Sequence, residues 1–187
     1  RQRQMCIRDS AQPTNVDTNN RLICYDILDL GEQLLPVGML VVLDSILNRI
    51  TANRAKGRTT YIFIDEIYLL FAQKYTANFL SRVWKRVRKY GAFATGITQN
   101  VGDMLQSNTA RTMLNNSEFT VMLNQNGSDR IELSKVLDIS ENQTEFFTNV
   151  QAGHGLIKIG GHFIPYANEF PKNTELYKLM TTKPGEA

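Results

Sequence analysis

The sequence predicts an α/β fold: a mainly parallel sheet with flanking helices and a C-terminal β-hairpin. Three observations predict it. First, the short apolar runs RLICYDIL (21–28), TYIFIDE (60–66), GAFATGIT (91–98) and FTVMLNQ (119–125) are of strand length and bounded by polar residues or glycine. Their β-branched and aromatic content suits strands buried on both faces. Second, helical patterns separate them, which implies right-handed crossovers and parallel pairing. Third, GLIKIGGHFIPYA (155–167) places Gly160-Gly161 between two apolar runs, a hairpin signal.

Taken in order, residues 1–20 are set apart. RQRQMCIRDS is basic and irregular, and AQPTNVDTNN is polar and holds Pro13. They read as a disordered linker or an artefactual N-terminus, with a basic nucleic-acid-binding arm as the sharper alternative. Residues 21–187 form the domain proper. From Pro36 to about Arg54 the density of Val37, Leu40, Val41, Ile46, Leu47 and Ile50 predicts a crossover helix, with proline at its start. Thr76 is the expected cap of the next helix. That helix aligns Leu80, Val83, Trp84 and Val87 on one stripe and sends Arg82, Lys85, Arg88 and Lys89 elsewhere, and Gly91 ends it. Shorter helical patterns follow at 108–116, 129–138 and 141–149, and a last helix at Thr174 to Met180.

Composition narrows the function. With 187 residues and 42% apolar content the chain can build one core. The net charge of +3 is mild, so any basic footprint must be local. Cys6 and Cys24 lack CxxC spacing and only His154 and His162 join them, which implies neither a zinc site nor a disulfide framework and suits a reducing compartment. No apolar run reaches the roughly 18–20 residues of a membrane span; the nearest is Val37 to Leu43. The expectation is a soluble or peripherally attached protein.

The chemistry gathers at strand ends. In an open parallel sheet, ligands bind beyond the carboxyl ends of the strands, where TYIFI runs into Asp65 and Glu66. A nucleotide-bound Mg²⁺ takes a carboxylate, often through water, and an attacking water needs an orienting group beside the γ-phosphate. Four apolar residues followed by Asp-Glu make a Walker B pattern, with Asp65 as the metal-side acid and Glu66 as the water-polarising one. The plainer reading is a strand ending in two solvated acids. Thr98 and Gln99 end the third predicted strand, and a glutamine amide can donate to a phosphate oxygen while accepting from water. Within the basic run Arg82 to Lys89, Arg88 is the candidate arginine finger for a neighbouring subunit, with Arg86 and Arg111 as rivals. A solvated helix face accounts for the other cations.

Several blocks then resemble one family in the same order. They are YIFIDEIYLLF, WKRVRKYGAFATGITQNVGDML, ARTMLNNSEFTVMLNQNGSDR and GHGLIKIGGHFIPYANEFPKNTELYKLMTTKP. Together they resemble the C-terminal part of the conjugal-transfer ATPase of type IV secretion systems, in the FtsK/HerA branch of P-loop NTPases. The resemblance runs from about Arg21 to the C-terminus. It implies a RecA/FtsK-like core, ATP and Mg as ligands, and an ATPase motor subunit, hexameric, at the cytoplasmic face of the cell membrane. Its implied partners are the coupling protein and inner-membrane subunits, with transferred DNA or protein as substrate. Carried over by motif, Glu66, Gln99 and Arg88 are catalytic, while Asp65, Thr98, Arg130, Gly153 and Gly155 lie at the nucleotide. For Arg130 and the two glycines, a helix-start arginine and turn glycines are equally good readings.

One departure is sharp. No GxxxxGK[ST] and no Gly-Lys dipeptide occurs in the chain, so the loop that cradles β- and γ-phosphates is missing. The expectation is the C-terminal portion of a longer ATPase, inactive by itself. Two alternatives stand beside it. One is a DNA-pumping motor of the coupling-protein or HerA type; the other is a non-enzymatic module whose basic helix binds nucleic acid or acidic partners.

Overall fold

The computed structural model describes residues 20–27 and 30–181. The expected N-terminal linker therefore falls outside the described residues, apart from Asn20. Helix α1 (Gly31–Ala55) leads into strand β1 (Thr60–Ile64), and helix α2 (Lys74–Val87) leads through a 3-10 turn and Gly91 into β2 (Ala92–Gly96). The two strands pair in parallel, from Thr60 opposite Ala92 to Ile64 opposite Gly96. Ile50 of α1 and Val83 and Val87 of α2 pack with Ile62 and Ala92, so both helices cover one face of the pair. Each helix runs back along the sheet before its strand begins. Both helix C-termini thus lie at the strands' N-terminal edge.

The second sheet is antiparallel: β3 (Phe119–Met122), β4 (His154–Ile159) and β5 (His162–Ala167), in that order. Gly160 adopts φ +55 in the β4–β5 turn, where a residue without Cβ is least strained. The remaining helices are α3 (Val101–Gln106), α4 (Asn108–Asn115), α5 (Gly127–Leu137), α6 (Glu141–Thr144) and α7 (Glu175–Met180). Burial ties the pieces together. Met39 and Leu43 of α1, Leu80 of α2, Leu105 of α3, Leu137 of α5, Phe147 in the 3-10 turn after α6, and Leu156 of β4 share one apolar cluster.

The α/β class holds, and several expectations need correction. No strand forms over residues 21–27, where Leu22 is 89% exposed and so has no sheet to bury against. The sheet is not mainly parallel. Among the described strands only β1 and β2 pair in parallel, with one further parallel bridge at Gln125–Thr148, because the tight Gly160-Gly161 turn forces β4 and β5 antiparallel and β3 joins β4 in the same sense. Nor are the strands buried on both faces: Tyr61, Phe63 and Phe93 are 68%, 70% and 60% exposed on the face away from α1 and α2.

Thr76 is not a cap. Gln73 occupies the N-cap position of α2, and the buried Thr76 hydroxyl donates to the carbonyls of Leu70 and Gln73 at 2.7 and 2.9 Å. Pro36 lies inside α1 rather than at its start. That longer helix also changes the membrane reading. Gln33–Ala55, 23 residues with a mean hydropathy of 1.5, is long and apolar enough to cross a membrane by length and composition. In this fold the helix packs Met39, Leu43 and Ile50 into the core.

Candidate functional site

The strand pair sets the site's geometry. Pairing continues beyond the strand ends, since the Ile97 amide donates to the Ile64 carbonyl at 2.8 Å and the Ile67 amide to the Ile97 carbonyl at 2.9 Å. Asp65 and Glu66 sit between those two bonds. Thr98 and Gln99 follow Ile97 directly, so the four residues emerge side by side at the carboxyl end of the parallel pair.

Glu66 is the unusual member. Its backbone is left-handed, at φ 46 and ψ 46, in a non-glycine residue, a conformation that costs on the order of 1–3 kcal/mol. Its amide donates to Asp65 Oδ1 at 3.0 Å, which satisfies the turn and holds the aspartate's carboxylate against the backbone. One carboxylate oxygen, Glu66 Oε2, is buried and has no hydrogen-bond partner. A buried acceptor left unpaired costs free energy. The turn therefore combines backbone strain with an unsatisfied oxygen.

The neighbouring loop is more conventional. Thr98 Oγ1 accepts the Asn100 amide at 3.0 Å, and the Asn100 side chain caps α3 by accepting the Asp103 amide at 3.2 Å. These bonds fix the segment on either side of Gln99, whose side chain is exposed. Gly96 matters too. A Cβ there would stand 2.6 Å from Ile67 Cδ1, so the glycine lets the turn after Glu66 close onto β2. Neither Gly96 nor Asn100 stood out as a site residue in the sequence. A glycine inside a strand and an Asn three residues before Asp103 are the signals that mark them.

The other candidates lie elsewhere. Arg88 precedes β2, at the opposite end of the strand pair from Glu66, roughly 16 Å away along five residues of strand. Arg130 lies in the first turn of α5, and the adjacent Asp129 Oδ1 comes within 3.2 Å of where a Cβ on Gly102 would stand. This places Arg130 on the element behind the Thr98–Asn100 loop. Arg111 is committed to packing: it pairs with Glu132 at 3.3 Å, and its Nε donates to the Leu105 carbonyl. Gly153 and Gly155 have backbone reasons for being glycine. A Cβ at Gly153, φ +85, would meet the Asn168 carbonyl oxygen at 2.3 Å, and one at Gly155 would meet that of Met122 at 2.2 Å.

These features define a mixed α/β domain with a carboxylate pair and a Thr-Gln pair at one end of two parallel strands. The family model described as the TraG P-loop domain matches residues 11–160, and the chain belongs to that family. Among solved structures, VirB4 of Thermoanaerobacter pseudethanolicus is similar, with a TM-score of 0.76 and 26% sequence identity. The match covers 87% of this chain and 46% of that one, so this chain spans under half the length of its structural relative. No functionally curated protein matches.

Proposed function

We propose that this chain supplies the hydrolytic half of an ATP site in an ATPase motor subunit powering type IV secretion or conjugative transfer. The observation that carries the reading is Glu66, a strained carboxylate at a strand's carboxyl end with one buried oxygen unpaired. Because Oε2 is sealed from solvent, the Glu66 side chain turns outward to act, and there the attacking water replaces the partner it lacks inside. Membership of a P-loop family and the likeness to VirB4 support nucleotide binding as the setting.

In this reading the Glu66 carboxylate, turned out from its buried position, accepts a hydrogen bond from the water and so directs the water's lone pair toward the γ-phosphorus, while Gln99 donates to a γ-phosphate oxygen. Thr98 holds the loop that positions Gln99. Asp65 is exposed and offers hard oxygen donors. No cluster of three or more His, Cys, Asp or Glu occurs among the described residues, which fits Mg²⁺ held by one carboxylate through water together with substrate phosphates. When bound, the ion neutralises charge on the β- and γ-phosphates. The Walker A loop would come from sequence outside these residues, so the chain alone does not hydrolyse ATP.

Arg88 is the proposed arginine finger, acting on the nucleotide of the next subunit in a hexameric ring; its place at the far edge from Glu66 suits a role in trans. Arg130, Gly153 and Gly155 lie apart from the Asp65–Glu66 turn, and in this proposal they border the nucleotide from a different side. The assembly docks at the cytoplasmic face of the membrane, on the coupling protein and inner-membrane subunits, and moves DNA or protein. The test is Glu66→Gln in a chain extended to carry a Walker A loop. Loss of hydrolysis with ATP binding retained is expected, and unchanged turnover would falsify the assignment.

A further inference from the structure

The charge of this chain is strongly segregated. Between Asp44 and Asp103 the only acids are Asp65 and Glu66, whereas α2 and the turn after it carry Arg82, Lys85, Arg86, Arg88 and Lys89. The end of α1 adds Arg54, Lys56 and Arg58. Among the described residues, none of Arg54, Arg82, Lys85 and Arg86 is held in an ion pair. A mild net charge therefore conceals one concentrated basic face.

That face has shape as well as charge. A cleft of about 240 Å³ runs between α1 and α2, with Ile50 and Val83 on its floor and Phe79, Tyr90, Arg82 and Arg86 around it. Rings and guanidinium groups alternate here. Arg54 lies over the Tyr90 ring at 5.1 Å from its centroid, and Arg82 over Phe79 at 5.5 Å. On the outer side of α2, Tyr75, Asn78, Ser81, Arg82 and Lys85 line a second hollow.

We propose that the α1–α2 face is a binding site for single-stranded nucleic acid, separate from the Asp65–Glu66 turn. Arg82 stands one helical turn, about 5.4 Å, from the adjacent Lys85 and Arg86, so the three cations meet neighbouring phosphates. In the cleft an unstacked base packs against the Arg82 and Arg86 guanidinium groups and the edges of Phe79 and Tyr90, since Arg82 and Arg54 already lie over those two rings. An acidic protein partner needs the cations but not the ring-lined slot. A membrane surface needs apolar residues alongside the cations. Here the exposed apolar residues of α1, Leu34, Val37 and Val41, sit toward the other end of the helix, with Val41 about 20 Å from Arg54.

The test is fluorescence anisotropy of a labelled 20-nucleotide oligo(dT) with the 187-residue chain across a salt series. Wild type is expected to bind, with affinity falling as salt rises. Arg82→Glu with Arg86→Glu changes two exposed side chains; it is expected to weaken binding at least tenfold and to lower the salt slope by roughly 1.4, or ~0.7 per lost phosphate contact. Lys135→Glu with Lys178→Glu, an equal charge change elsewhere, should alter affinity by less than about threefold. Circular dichroism of both variants establishes that the fold is intact. The proposal is overturned if wild type does not bind, if the two double variants behave alike, or if polyglutamate competes as well as unlabelled oligo(dT). Preference for phosphatidylserine vesicles over the oligonucleotide overturns it too.

Discussion

The backbone amide of Ile67 donates to the carbonyl of Ile97 at 2.9 Å, and this one bond fastens the turn carrying Asp65 and Glu66 to the segment carrying Thr98 and Gln99. Side chains from two stretches more than thirty residues apart are thereby held at one strand end. The bond is made by backbone alone, so the site's spacing does not depend on which side chains occupy it.

Replacing Glu66 should therefore leave the frame standing. Glu66→Gly removes a left-handed strain of order 1–3 kcal/mol and an unpaired buried oxygen, against a glycine entropy cost of about 0.5–1 kcal/mol. Net stabilisation of about 1 kcal/mol is expected, a rise of roughly 2–4 °C in Tm. Glu66→Ala keeps the strained backbone and should gain less. Thermal denaturation of the pair separates strain from chemistry; Ala matching Gly would show that the turn is not strained.

Asn100 is expected to matter for stability through its cap. Its side chain satisfies the Asp103 amide at the start of α3, and Asn100→Ala should cost about 1 kcal/mol. Urea titration reads the loss directly. Asn100→Ser, which can accept the same bond, should recover most of it.

Gly155 lies within β4, paired with Tyr166, rather than in a turn, and there it faces a hard limit. A Cβ placed 2.2 Å from the Met122 carbonyl oxygen and 2.9 Å from Tyr166 Cε1 has backbone on one side and a ring on the other. Gly155→Ala should destabilise by about 3 kcal/mol, at the upper end of overpacking costs. Gly161→Ala, with open space around its Cβ, is the matched control in the same hairpin, and should change the unfolding midpoint far less.

The uncovered face of β1–β2 should make the chain self-associate. Tyr61 and Phe93 stack at 5.4 Å between centroids, and Phe63 stands beside them at 70% exposure. Contiguous exposed apolar surface of this kind marks a contact site. Phe63→Thr is expected to lower concentration-dependent association in sedimentation velocity while changing stability by no more than about 0.5 kcal/mol. Equal association in both proteins would place the contact elsewhere.

Legibility in the sequence varied with the kind of signal. The hairpin was readable because Gly160-Gly161 sits between apolar runs, and α2 because Leu80, Val83 and Val87 keep helical spacing. Direction of pairing was not readable, since an apolar run says nothing of whether its neighbour is parallel. One-sided burial was hidden for a related reason. In TYIFI the outward residues Tyr61 and Phe63 are as apolar as the inward Ile62, so the alternation that reveals an exposed face is absent. The candidate site was half legible. Acids and a Thr-Gln pair at strand ends are visible as residue types, whereas the left-handed Glu66 and its orphaned oxygen arise from a turn that no propensity encodes.

The layout of charge has an electrical consequence. Asp65 and Glu66 lie at the carboxyl end of the parallel strands, while Lys56, Arg58, Arg88 and Lys89 lie at their amino end. The β1–β2 pair thus carries opposite charge at its two ends. Between copies, that layout favours head-to-tail over head-to-head approach, the sense of contact that gives a closed ring or an open filament according to the rotation per step. Because the attraction acts through solvent, it weakens once the screening length falls to about 10 Å, near 0.1 M salt. Ionic strength therefore tunes that orientational preference.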